Sequence, residues 1–219
     1  MKKIFTPGIL SLITFALWTV LILLVDVQAV GPNDSIVGFA TFNTWFHQLT
    51  GVNMKLYTIT DWLGLVPIAV CLCFGCLGFA QMVKRKSLIK TDLDILLLGG
   101  YYCLVIFCYL FFEMVPINYR PILIDGFLEA SYPSSTTLLV LSVMPTLVFQ
   151  LKRRCQNKTV RNIGMILSLL FAAFMVIGRL VSGVHWATDI IGAILLSFGL
   201  FKLYQGAVTA TDMRKHNGV

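Results

Sequence analysis

Long apolar runs separated by short polar segments recur six times along the chain. They lie at roughly Gly8–Val25, Leu63–Val83, Leu93–Phe112, Thr136–Leu151, Ile163–Ile177 and Thr188–Tyr204. A helix that crosses a bilayer needs about 20 mostly apolar residues. Four runs meet that length, and the fourth and fifth reach it by extending into their flanks. None alternates with a period of two, so each predicts a helix and not a barrel strand. The expected fold class is all-α, an integral membrane bundle of six transmembrane helices in a single domain spanning 1–219. Between the first two runs, 31–61 forms the longest connection. Within it Phe39, Phe42, Trp45, Phe46 and Leu49 recur at helical spacing and predict a short helix at the membrane interface. His47, on the same segment, reads as an interfacial residue with an ordinary hydrogen bond.

Composition narrows the class further. Hydrophobic residues make up 58% of the 219 and charged residues 12%, against about 25% charged in a soluble domain. The mean hydropathy is +0.84. Disorder, a collagen-like fibre and a disulfide scaffold are excluded. The six cysteines lie mostly within the apolar runs. Cys73 and Cys76 have the spacing of a redox or metal pair, but no second pair accompanies them. They are expected to pack between helices as small polarizable residues.

The net charge of +7 does not mark a nucleic-acid binder, because the basic residues form short clusters between apolar runs. Fourteen of the 17 Lys and Arg fall before the first run, between the second and third, between the fourth and fifth, or at the end of the sixth. The positive-inside rule then sets both termini in the cytoplasm. It turns 26–62, 113–135 and 178–187 outward in a multi-pass protein of the cell membrane. Lys2, Lys3, the first apolar run and Val27-Gln28-Ala29 also resemble a cleavable signal. That run is longer than the usual signal core of about 7–15 residues, which favours a retained span.

Only Lys55, Arg120 and Arg179 are basic on the outward side. Ionisable groups beside span ends are costly and often functional. Guanidinium matches phosphate in a bidentate manner, so Arg120 and Arg179 form a candidate anion clamp. Pro133 to Thr136 opens a helix, whose free N–H groups and hydroxyls on Ser134, Ser135 and Thr136 suit a phosphate. His185 and Asp189 are four apart. On one helix face the carboxylate accepts the ring N–H, which fixes the tautomer and frees the other nitrogen as a nucleophile.

Taken together, Arg120-Pro121, Pro133-Ser134, and Arg179 with Gly183, His185 and Asp189 resemble the type-2 phosphatidic acid phosphatase family. These are six-span lipid phosphatases related to vanadium haloperoxidases. The resemblance covers roughly 60–205. It implies that His185 attacks phosphorus to form a phosphohistidine and that Asp189 orients it. It further implies that Arg120, Arg179 and Ser134 stabilise the transferring phosphoryl group, and that neither metal nor cofactor is required. Partners would be membrane lipids and a lipid phosphate or diphosphate, such as a prenyl diphosphate, phosphatidate or phosphatidylglycerol phosphate.

Three positions depart from the family pattern. Glu113 stands where a lysine is expected, Thr136 where a histidine protonates the leaving group, and Gly178 where a serine precedes the arginine. Threonine is no acid at neutral pH, so a substrate whose leaving group is itself a phosphate is favoured. Glu113 either supplies the missing acid or, preferably, pairs with Arg120. A catalytically weak lipid-phosphate binder on the same fold, a lipid phosphotransferase and a transporter or flippase remain alternatives.

Overall fold

The computed structural model describes residues 2–216. Its helices are α1 (Lys2–Leu24), α2 (Ala40–Thr50), α3 (Met54–Leu63), α4 (Leu65–Arg85), α5 (Leu93–Met114), α6 (Ser135–Arg154), α7 (Lys158–Val181) and α8 (Ala187–His216). Among the described residues, six stretches are long and apolar enough to cross a membrane. The second, Met54–Arg85, joins α3 to α4. It starts earlier than its apolar run at Leu63, because polar Lys55, Thr58, Thr60 and Asp61 hide the helical continuity of α3. The expected short helix within 31–61 is α2, preceded by a two-stranded ribbon that pairs Gln28–Ala29 with Ile36–Val37.

Local chemistry explains the helix ends. Asn53 caps α3 by accepting from the Leu56 N–H, and Asn157 caps α7 by accepting from Thr159 and Val160. Lys84 and Arg85 close α4, and Lys152, Arg153 and Arg154 close α6. There they complement the negative ends of the helix dipoles.

α8 is the central post and packs on α1, α5 and α6. Small residues bring α1 close: a Cβ on Gly8 would lie 3.0 Å from the Gly199 carbonyl oxygen. Ser11 Oγ donates to the Leu195 carbonyl at 2.7 Å and Trp18 Nε1 to the Thr188 carbonyl at 3.1 Å. With no hydrophobic drive between helices in lipid, small residues and interhelical hydrogen bonds supply the adhesion. The apolar core between α5, α6 and α8 includes Leu98, Val105, Leu138, Val143 and Leu196. It is stitched by Tyr101 to the Ser142 carbonyl and Tyr102 to Thr146. Cys73, Cys76 and Cys103 face outward and do not pack between helices, and all described cysteines are free.

The two ends of the bundle differ in chemistry. At one, Arg85, Arg153 and Arg154 are ion-paired with Asp92, Asp94 and Asp212, which ties α4, α5, α6 and α8 together. The opposite end gathers the end of α5, the starts of α6 and α8, the end of α7, and α2 and α3. The loops there bring together Arg120, Arg179, His185 and Asp189.

Candidate active site

Arg120 lies on the loop between α5 and α6, beside the bridge of Tyr119 with Ala130. Arg179 lies in the last turn of α7. His185 sits in the turn between α7 and α8, and Asp189 in the first turn of α8. Both arginines are buried, Arg120 at 6% exposure and Arg179 at 1%. They are therefore not reaching out to lipid headgroups. Their guanidinium groups share the Tyr57 ring, 5.8 and 4.8 Å from its centroid, and its negative face offsets the repulsion between like charges.

The N–H supply of this pair exceeds what the protein consumes. Nε and Nη1 of each arginine are buried without a hydrogen-bond partner. Carboxylates lie within ion-pair range but out of hydrogen-bond alignment. Glu129 Oε2 is 3.0 Å from Arg120 Nε, and Asp61 Oδ1 is 3.5 Å from Arg179 Nη1. Glu129, and not Glu113, is thus the charge partner of Arg120; Glu113 lines the same cavity without that contact. Buried donors left unmade are costly, so the arrangement favours an anion that accepts from both forks.

The imidazole is oriented by a residue that helical spacing does not reveal. His185 and Asp189 do not share a helix face, because α8 begins only at Ala187. Ser131 stands between them instead. Its Oγ donates to Asp189 Oδ2 at 2.5 Å and lies 3.0 Å from His185 Nδ1. The single hydroxyl proton is spent on the carboxylate, so Oγ accepts and Nδ1 carries the hydrogen. Asp189 is held further by the Trp186 N–H at 3.0 Å and Asn118 Nδ2 at 3.3 Å. His185 Nε2 therefore keeps its lone pair, and it faces Arg179 Nη2 at 3.3 Å.

Burial, then the charges of Arg120 and Arg179, push the His185 pKa well below the ordinary 6.5. A lowered pKa keeps the ring neutral as pH falls through the range where a free histidine gains its proton. In ¹⁵N spectra of histidine-labelled protein, His185 should remain the neutral Nδ1–H tautomer from pH 7 to below 6.5. Ser131→Ala should weaken that tautomer preference, leaving only the Arg179 N–H to favour it, and Ser131→Thr should keep it. Protonation of His185 near 6.5 in the native protein would contradict this electrostatic reading.

Gly183 shapes the same turn. Its φ is +68°, and a Cβ there would run into the Gly51 carbonyl, so a side chain is excluded twice. His47 braces the turn with Nε2 3.0 Å from the Gly183 carbonyl oxygen, and its ring packs 5.6 Å from that of Trp186.

The start of α6 divides its three candidate residues. Ser135 and Thr136 line the cavity. Ser134 does not: it is fully buried, its hydroxyl donates to Thr137 at 3.0 Å, and its N–H donates to the Asp189 carbonyl at 3.3 Å. It fastens α6 to α8 instead of facing an anion.

The cavity is about 910 Å³. Its polar end holds Arg120, Arg179, Asp61, Glu113 and Glu129. Its body runs between α4, α5 and α6 along Ile68, Cys71, Val105, Leu110, Leu139 and Val143. A charged mouth on an apolar trough suits an amphiphile with an anionic head. Among the described residues, no group of three or more His, Cys, Asp or Glu side chains is placed to hold a metal ion.

The sequence model of the PAP2 superfamily matches residues 100–211, the stretch that carries Arg120, the start of α6, and the turn from Arg179 to Asp189. The chain belongs to the PAP2 superfamily. A solved structure described as the first transmembrane PAP2-type phosphatidylglycerolphosphate phosphatase, from Bacillus subtilis, has the same fold. Its TM-score is 0.61 at 16% identity, over 93% of this chain and 96% of that one. No curated protein matches the sequence. The chain is thus a multi-pass membrane protein of the PAP2 superfamily with the fold of a membrane lipid phosphatase.

Proposed function

We propose that this PAP2 protein hydrolyses a lipid-linked diphosphate, using His185 as the nucleophile. The observation that carries the reading is the pair of buried guanidinium groups whose Nε and Nη1 lack hydrogen-bond partners, beside an imidazole whose unprotonated Nε2 faces Arg179 Nη2. Arg120 and Arg179 would take the phosphoryl oxygens, joined by Ser135 and Thr136 at the start of α6. Nε2 would attack phosphorus, and the departing oxygen would leave toward the cavity. Ser131 and Asp189 would hold the ring and stabilise the charge it gains. The apolar trough would take the tail, so substrate would arrive within the membrane plane. By the distribution of basic residues, the site faces outward and both termini are cytoplasmic.

The preference for a diphosphate follows from Thr136. With no acid at that place, an alkoxide leaving group is poor, whereas a phosphate leaves readily. General acid assistance is typically worth about 10²–10⁴-fold, and a lipid monophosphate would forgo it. Purified protein given prenyl diphosphate, phosphatidate and phosphatidylglycerol phosphate should release phosphate fastest from the diphosphate, by at least about tenfold. Equal or faster release from the monophosphates would overturn the preference. Tight binding of all three with no release would replace hydrolysis with a binding role.

A further inference from the structure

We infer that Asp61 is the base that activates water to clear phosphate from His185; the inference rests on the phosphohistidine reading above. A phosphohistidine must be attacked by water on the side opposite the nitrogen, because phosphoryl transfer places entering and leaving atoms roughly in line. The cavity wall carries three carboxylates: Asp61, Glu113 and Glu129. Their positions relative to the imidazole distinguish them.

Arg179 connects the imidazole to only one of these acids. Its Nη2 lies 3.3 Å from His185 Nε2, and its Nη1 lies 3.5 Å from Asp61 Oδ1. A phosphoryl group held on this planar fork therefore has the imidazole toward one terminal nitrogen and the Asp61 carboxylate toward the other. Glu129 is bound to the other arginine, and Glu113 has no ion-pair contact with either. Asp61 is 57% exposed at its side chain and lines the open cavity, so water reaches it. It lies in the last turn of α3, just before Gly64, where α3 gives way to α4. A Cβ at Gly64 would sit 3.7 Å from the Thr136 methyl. The turn carrying Asp61 thus borders the place where Thr136 brings no titrating group.

The chemical step balances without a further reactant. The oxygen of water forms a bond to phosphorus while the phosphorus–Nε2 bond breaks. The electron pair returns to Nε2, and the water proton passes to the Asp61 carboxylate and then to solvent. Carboxylates at neutral pH accept protons, which suits this second step. The first step needs no acid when the leaving group is a phosphate.

The test is rapid quench of the full-length protein in detergent, with a prenyl diphosphate labelled on its terminal phosphate. Asp61→Asn should release about one equivalent of prenyl monophosphate in a burst and accumulate phosphohistidine. Its steady-state turnover should fall about 10²–10⁴-fold, the usual worth of a general base. Asp61→Glu, which keeps a carboxylate, should show less phosphohistidine and recover part of the turnover. Turnover of Asp61→Asn within a few-fold of the native protein would overturn the inference. So would loss of the burst together with turnover, since Asp61 would then be needed before the intermediate forms. If the native protein and Asp61→Asn both release phosphate but never label His185, the underlying nucleophile assignment fails instead.

Discussion

Replacing His185 with alanine is expected to abolish phosphate release from lipid diphosphates, by a factor on the order of 10⁶, the scale seen when a covalent catalyst loses its nucleophile. The effect follows from the arrangement around the ring. In this reading Ser131 and Asp189 orient the imidazole and offset the charge it gains, and Arg120 and Arg179 present N–H groups but no nucleophile. Binding should survive, because the arginines remain. Folding should survive as well: the lost contacts are one hydrogen bond to Ser131 and one to Arg179, each worth about 1 kcal/mol. Phosphate release and lipid binding, measured side by side in detergent, check both parts. Release within about tenfold of the native rate would remove His185 from the chemistry.

Arg179→Gln should give the second largest loss, about 10³–10⁵-fold in kcat/KM, the range for an arginine that stabilises a transferring phosphoryl group. Stability should respond differently. Removing one partner of a well-made buried ion pair costs about 3–5 kcal/mol. Arg179 is buried with Nε and Nη1 unpartnered and with its carboxylate neighbour out of hydrogen-bond alignment at 3.5 Å. Its partners are a long contact to Asp61, His185 Nε2 at 3.3 Å and the Tyr57 ring, and its removal relieves the cost of burying a second cation beside Arg120. The melting temperature in detergent should stay within a few degrees of native or rise, while activity collapses. A fall in activity matched by a large fall in melting temperature would show that Arg179 holds the fold instead of the substrate.

The bundle was legible because a bilayer constrains sequence strongly. Each span needs a long apolar run, and the arginines and lysines between runs mark the ends. The convergence of Arg120, Arg179 and His185 was legible for the same reason, since all three fall beside span ends on one side. The finer geometry was not. Helical spacing suggested a direct bond between His185 and Asp189, but the helix starts two residues after the histidine, and Ser131 fills the gap. Ser131 and Asn118 lie on an irregular loop, where no periodicity links a residue to its partners. Tyr57 and Asp61 belong to α3, whose polar residues resemble a loop until the chain is folded against α7. Glu113 was the nearest acid to Arg120 in the motif, yet the bridge of Tyr119 with Ala130 brings Glu129 to the guanidinium.

The most direct measurement is the identity of the residue that carries phosphorus during turnover. Native protein mixed with a prenyl diphosphate labelled on its terminal phosphate, then quenched in alkali and digested, should yield an acid-labile, base-stable phosphoryl group on the peptide containing His185. Phosphate release with that peptide unlabelled, or with the label on another residue, would contradict the account.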